Sequence, residues 1–198
     1  ARRLEIQTPK VGELEIDRET VLVGYLRLKT PLEGCVEAIP LLELLRQSLD
    51  GSQRIDVVRV PLDEGPVPFG RGRVMLEAGS GSIINLASIM GVVGIGQIPQ
   101  LAYNTSKGAI VNFTRELAAQ WARRGVRVNA VAPGFFPSEM TDGMFDDERT
   151  LKFLRRKTPM GRPGQPEELL GALMLLASDA GSYITGQNLI VDGGWTAW

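Results

Sequence analysis

Gly81-Ser82-Ile83-Ile84-Asn85-Leu86-Ala87-Ser88 is followed by a helical stretch over 103–123 and then by Gly125-Val126-Arg127-Val128-Asn129-Ala130-Val131-Ala132. The apolar run over 82–88 reads as a buried strand. Residues 103–123 place Ile110, Phe113, Leu117 and Trp121 at helical spacing, and Gly125 closes that helix. Residues 126–132 form the next strand. Strand, helix, strand in this order builds a parallel sheet flanked by helices. Ligands of such open sheets bind outside the C-terminal ends of the strands. Ser88 stands at one of those ends.

The pattern extends in both directions. Towards the C-terminus, Pro166 opens a helix over 167–178, and 187–191 reads as a last buried strand. Between them, 135–157 reads as a mobile lid with short helices, carrying Phe135, Phe136, Met140, Met144 and Phe145. An apolar lid excludes water from chemistry beneath it, although such side chains also serve as packing. Towards the N-terminus, 20–28 and 54–60 read as strands and 35–49 as a helix, with Pro40 a kink or a later start. These three make a further βαβ unit. Gly65-Pro66-Val67-Pro68-Phe69-Gly70-Arg71-Gly72 reads as a loop by composition, a solvated turn more than a phosphate site.

The chemistry sits in Tyr103-Asn104-Thr105-Ser106-Lys107. A tyrosine and a lysine four apart share one helix face. A free phenol, with a pKa of about 10, exchanges protons poorly near neutrality. A neighbouring ammonium favours the phenolate and draws that pKa toward working pH. The pair can then move a proton to or from a carbonyl or hydroxyl oxygen, which Ser88 would hold in place. Taken alone, Ser88 reads better as a strand-end hydroxyl capping a turn.

Composition removes the rivals. The chain of 198 residues contains no histidine and one cysteine, Cys35. Ser-His-Asp and Cys-His hydrolases need an imidazole, and zinc sites need histidines or several cysteines, so neither is expected and no metal is assigned. A net charge of −1 offers no footprint for nucleic acid or an acidic membrane surface. No apolar stretch approaches the ~18 residues that cross a bilayer. A lone cysteine suits a reducing compartment, so a cytoplasmic setting is expected. The length fits one domain over 1–198.

With these residues in hand, the chain resembles the short-chain dehydrogenase/reductase family from about Arg73 to Trp198. Residues 81–88 look like the strand ending in that family's active-site serine, and Tyr103 and Lys107 match its catalytic pair. Residues 125–134, ending in Val131-Ala132-Pro133-Gly134, look like its next strand and the turn beneath the nicotinamide. Met160-Gly161-Arg162-Pro163-Gly164-Gln165-Pro166-Glu167-Glu168, Ile184-Thr185-Gly186-Gln187 and Val191-Asp192-Gly193-Gly194 match its C-terminal pattern. The resemblance implies a single-domain, Rossmann-like α/β fold and hydride transfer between NAD or NADP and a small-molecule carbonyl or secondary alcohol. It implies Tyr103 as general acid/base, Ser88 orienting the reacting oxygen, and Lys107 lowering the phenol pKa and binding the nicotinamide ribose. Pro133 and Gly134 would set the nicotinamide turn. Phe136 and Ser138 would reach the carboxamide, although Ser138 also reads as an N-cap for the lid helix. Asn129 and Asp192 read as structural residues that pin loops to the sheet. The interval from Ser88 to Tyr103 is slightly longer than usual, and Gly94-Ile95-Gly96-Gln97-Ile98-Pro99 should border the substrate. Polyol and sugar-acid dehydrogenases and 3-oxoacyl-carrier-protein reductases are the most similar branches. A homo-oligomer, dimer or tetramer, is implied, with Trp121, Trp195 and Trp198 near the surfaces involved.

Residues 1–72 depart from the family pattern. No Thr-Gly-x-x-x-Gly-x-Gly turn is present; Gly65, Gly70 and Gly72 come nearest, with the first spacing one residue too long. The Asn-Asn-Ala-Gly segment is missing, as is the helix asparagine of the proton relay, because Asn85 is the first asparagine in the chain. Ala1-Arg2-Arg3-Leu4-Glu5 resembles the end of the family's second strand, and its arginines lean toward the 2′-phosphate of NADP. Three readings stay open: an enzyme with an atypical or truncated N-terminal part, a non-catalytic homologue acting as a binding or assembly protein, and a reading-frame change upstream of Arg73.

Overall fold

The computed structural model describes residues 20–27, 54–61, 70–96, 99–138, 141 and 143–198. Their strands form one all-parallel sheet of β1 (Thr20–Arg27), β2 (Arg54–Pro61), β3 (Gly81–Leu86), β4 (Val126–Pro133) and β5 (Asn188–Val191), in the order β2-β1-β3-β4-β5. The order reverses at β1, which pairs with β2 on one side and with β3 on the other. A crevice beyond the strand ends opens at such a reversal. The expected helix over 35–49, Cys35 and the segment Ala1–Glu5 lie outside the described residues.

Parallel neighbours require crossover connections, and helices supply them. Helix α1 (Gly70–Ala78) precedes β3, and α2 (Leu101–Trp121) links β3 to β4. Helix α3 (Glu148–Lys157) lies after β4, and α4 (Leu170–Ala177) leads to β5. Alternation along the strands sorts the two faces. Ile83, Val126 and Val128 pack against Met75 of α1 and Leu117, Ala118 and Trp121 of α2. Ile84 and Val131, pointing the other way, pack against Leu169, Leu173 and Leu176. Both faces of the central strands are therefore covered, which accounts for strand sequences that read as near-continuous apolar runs.

Polar residues reinforce this layering. Asn85 Nδ2 donates to Thr114 Oγ1 at 2.9 Å, and Thr114 Oγ1 donates to the Ile110 carbonyl at 2.8 Å. On the opposite face, Ser82 Oγ donates to the Leu176 carbonyl at 2.8 Å. Asn129 is fully buried and works on both sides of a loop: Nδ2 donates to the Ile184 carbonyl and Oδ1 accepts from Gln187 N–H. Asp192 accepts from Gly194 N–H and, through Oδ2, from the main chain and hydroxyl of Thr196. Both residues pin loops to the sheet, the role their positions suggested.

Three expectations need correction. Gly70-Arg71-Gly72 is the first turn of α1 and not a loop. Met75 of that helix, 1 % exposed, packs so closely on Gly81 that a Cβ there would lie 2.7 Å from its sulfur. Tertiary packing of this kind outweighs the poor helix propensity of two glycines. The tryptophans are the second case. Trp121 and Trp195 are 6 % and 9 % exposed within the protomer, and only Trp198, at 81 %, offers an open aromatic surface. The third concerns β3, which ends at Leu86 and leaves Ser88 in the connection beyond it. Among the described residues no helix is long and apolar enough to cross a membrane.

Candidate active site

Ser88 is delivered by the end of β3. Ala87 N–H donates to the Val131 carbonyl at 2.8 Å, keeping the chain beside β4 for one residue past the strand. Ser88 follows in extended conformation and caps the short 3-10 turn Ile89–Gly91, its Oγ accepting from Met90 N–H at 3.2 Å. The capping role and a reactive role are compatible, because a hydroxyl that accepts here still carries its own proton to donate.

Helix α2 brings the other two residues. Tyr103 stands in its first turn, half-buried, beside a cluster of Ile89, Met90, Leu154 and Trp195. Lys107 follows one turn later. Its Nζ donates to the Leu86 carbonyl at 2.9 Å and lies 5.7 Å from the centre of the Tyr103 ring, a separation at which an ammonium is attracted to an aromatic face. Gly91 fixes the remaining relation. A Cβ on it would fall 2.7 Å from the carbonyl carbon and oxygen of Lys107. The turn that starts at Ser88 therefore rests directly on the main chain of the helix turn carrying Lys107. Tyr103 and Lys107 thus lie against the segment that leaves the C-terminal end of β3 and begins with Ser88. Next to Tyr103, Asn104 buries its Oδ1 without a hydrogen bond, an unsatisfied atom that spacing alone does not foretell.

The residues after β4 border the same edge. Gly134 N–H donates to the Val191 carbonyl at 2.9 Å, and a Cβ at Gly134 would lie 2.8 Å from the Asp192 Cα. Glycine is thus required where Pro133-Gly134 passes the end of β5. The Phe136 ring packs against Gly164 and the cluster under α4. Ser138 is exposed and exchanges hydrogen bonds with Thr141: its N–H donates to Thr141 Oγ1 at 2.8 Å and the two hydroxyls lie 3.1 Å apart. Met140 lies outside the described residues.

The segment 135–157 contributes to an aromatic layer. Phe135 meets Trp195 at a tilt of 53° with 4.7 Å between ring centres, and Phe153 meets the same indole edge-on at 5.8 Å. Leu154 of α3 is fully buried beside them. Trp195 is the contributor that sequence reasoning placed on the surface. Asp147 caps α3 through Thr150 N–H. Further along the chain, Arg162 grips Glu168 with two 2.7 Å hydrogen bonds while Gln165 N–H donates to the same carboxylate. The Arg162 hydrogen bonds, helped by the Gln165 amide, hold the Glu168 carboxyl down at about 2. Among the described residues there is no group of three or more carboxylates, histidines and cysteines that could hold a metal ion.

Residues 70–196 match the family profile described as Enoyl-(Acyl carrier protein) reductase. The chain belongs to the short-chain dehydrogenase/reductase family. It is 50 % identical over 129 residues to galactitol 2-dehydrogenase (L-tagatose-forming) of Cereibacter sphaeroides, covering 64 % of this chain and 50 % of that protein. It is 44 % identical over 124 residues to a 3-oxoacyl-[acyl-carrier-protein] reductase of Chlamydia pneumoniae, covering 63 % and 48 %. Among solved structures, a gluconate 5-dehydrogenase from Burkholderia cenocepacia in complex with NADP and tartrate superposes with a TM-score of 0.61 at 39 % identity, over 64 % of this chain and 49 % of that one. The chain therefore spans about half the length of the relatives it matches. The short-chain dehydrogenase/reductase profile begins at Gly70, the first residue of α1, so the helix that composition hid belongs to the family portion.

Proposed function

We propose that this chain carries the proton-transfer half of an NAD(P)-dependent oxidoreductase acting on a carbonyl or secondary alcohol. The observation that supports it best is the Lys107 ammonium, bonded to the Leu86 carbonyl and set against the Tyr103 ring beside the Ser88 turn. A bound nicotinamide dinucleotide supplies or accepts the hydride. In the oxidative direction Tyr103, as phenolate, takes the hydroxyl proton while Ser88 donates a hydrogen bond to the reacting oxygen. In reduction the same proton returns from the phenol. Lys107 favours the phenolate and would bind the nicotinamide ribose. Pro133, Gly134, the Phe136 main chain and Ser138 would line the nicotinamide side.

This donor set fits the nicotinamide end of a dinucleotide. The pyrophosphate end is different, because the sequence holds no glycine turn that lets phosphate approach main-chain N–H groups. Thr30-Pro31-Leu32-Glu33-Gly34, before the expected helix, offers one glycine, a proline without N–H and an acidic side chain. Titrating NADH and NADPH by fluorescence is expected to give binding weaker than micromolar for both. Arg2 and Arg3, together with the NADP-bound gluconate enzyme, favour NADPH as the tighter of the two. Micromolar affinity would overturn this reading of the N-terminal part. The departure of residues 1–72 from the family pattern leaves a second reading, a binding or assembly protein without turnover. Absence of any NADPH oxidation at saturating cofactor with ketone substrates would select it.

Assembly into a homo-oligomer belongs to the same proposal. β5 lies at the edge of the sheet, and Ile190, Tyr183 and Trp198 expose apolar surface on that C-terminal side. Light scattering at micromolar concentration is expected to give a mass above one protomer, and a monomeric mass would refute it.

A further inference from the structure

We infer that the outer face of α3 is a docking surface for an acidic protein segment that also presents an apolar side chain. The inference is independent of the turnover proposed above and goes beyond it. Helix α3 carries five cations, Arg149, Lys152, Arg155, Arg156 and Lys157, against one carboxylate, Glu148, in a chain whose net charge is −1. All five are exposed. Arg149, Lys152 and Arg156 follow one another at i, i+3 and i+7, so they form a stripe on the side away from the buried Leu154. Among the described residues none of the five forms a salt bridge, while Arg73 and Arg162 do. The helix dipole accounts for the cations of the last turn, but Arg149 stands at the opposite end, where that dipole disfavours positive charge. The carboxylates of Asp146, Asp147 and Glu148 gather at that N-terminal end, and Asp147 is spent on capping. An acidic partner therefore settles over the C-terminal turns.

What adjoins the stripe selects a protein. Trp198 Nε1 donates to the Lys157 carbonyl at 3.2 Å, which holds the indole at the end of α3 while the residue stays 81 % exposed. Met160, three residues past the helix, is 62 % exposed. Arginine, methionine and tryptophan are side chains in which protein interfaces are enriched. Guanidinium groups also grip carboxylates with two hydrogen bonds at once. A membrane fits less well, because the apolar side of α3, with Leu154 and Phe153, is turned into the cluster around Trp195 and has nothing to place in lipid. A nucleic acid fits less well, because the chain as a whole is net negative.

The test uses the whole chain and two fluorescein-labelled probes of equal length, a polyglutamate peptide and a peptide repeating Glu-Glu-Leu, with binding read by anisotropy. The leucine-bearing peptide is expected to bind more tightly, and to weaken about tenfold or more between roughly 0.05 M and 0.5 M salt as exposed charges are screened. The combined variant Arg149→Glu, Lys152→Glu and Arg156→Glu should weaken it by about tenfold or more. Glutamine at the same three positions should weaken it by a smaller factor, and decides the matter should the glutamate variant fail to fold. Trp198→Ala should weaken the leucine-bearing peptide about tenfold and leave polyglutamate unchanged. The control variant Arg115→Glu, Arg123→Glu and Arg124→Glu, at exposed cations elsewhere, changes the net charge equally and should alter neither. Equal losses for the two glutamate variants, or no binding of either peptide, overturn the inference. Tighter binding of phosphatidylserine vesicles or of single-stranded DNA overturns it too. So does loss of self-association in the α3 variant, which would seat a second copy of this chain on that face.

Discussion

Tyr103→Phe is expected to lower turnover by about 10²–10⁴-fold, the usual contribution of a positioned general acid. The substitution removes one oxygen and leaves the ring that packs beside Ile89 and Met90, so the fold should hold and the midpoint of thermal unfolding should change little. Measuring kcat for both proteins at saturating cofactor, with the midpoint as control, separates lost chemistry from lost structure. An unchanged rate would remove Tyr103 from the proton path. A collapsed midpoint would show that the hydroxyl is structural.

The largest expected loss of stability is at Gly125. This residue ends the helical segment after α2 with φ 79°, its N–H donating to the Ala122 carbonyl, and the chain then turns into β4. A Cβ there would lie 1.9 Å from the Gly79 carbonyl oxygen, so Gly125→Ala forces main chain against main chain. The left-handed conformation adds about 1–2 kcal/mol for any residue with a Cβ. Together these predict a loss of about 3 kcal/mol and a fall in Tm of roughly 6–12 °C for a domain of this size. Gly79→Ala is the matched control. It shares positive φ, at 66°, but a Cβ there meets nothing within 4 Å. Its cost should stay near the conformational ~1–2 kcal/mol. Equal falls in Tm for the two would show that the contact with Gly79 relaxes freely.

What the sequence disclosed follows from how each residue acts. The strands at 81–86 and 126–133 are covered on both faces, so their apolar runs announce them directly. Helix α2 announces itself because Ile110, Leu117 and Trp121 each bury against the sheet. The site motif was legible because a one-turn spacing is a property of a single helix. Contacts between distant segments were not. Trp195 looked like a surface aromatic until Phe135 and Phe153 arrived from far upstream to cover it. Phe136 has a neighbour, Phe135, that turns into a different cluster, and no local pattern separates the two. Gly70 and Gly72 carry loop propensity, and only the seat of Met75 on Gly81 reveals why they are helical.

The contact of Gly91 with the Lys107 main chain has a further consequence. Together with the bond from Lys107 Nζ to the Leu86 carbonyl, it seats Lys107 and its helix turn against main chain that most side-chain exchanges leave alone. The layer above them is made of side chains from far along the chain, Phe145, Phe153 and Trp195 among them. Tyr103 packs in the same cluster, so substitutions in that layer reach its ring while the main-chain seat of Lys107 stays in place. The arrangement resembles a vice with one fixed jaw: the Lys107 side is set by the backbone, and the Tyr103 side follows the aromatic layer that presses on it.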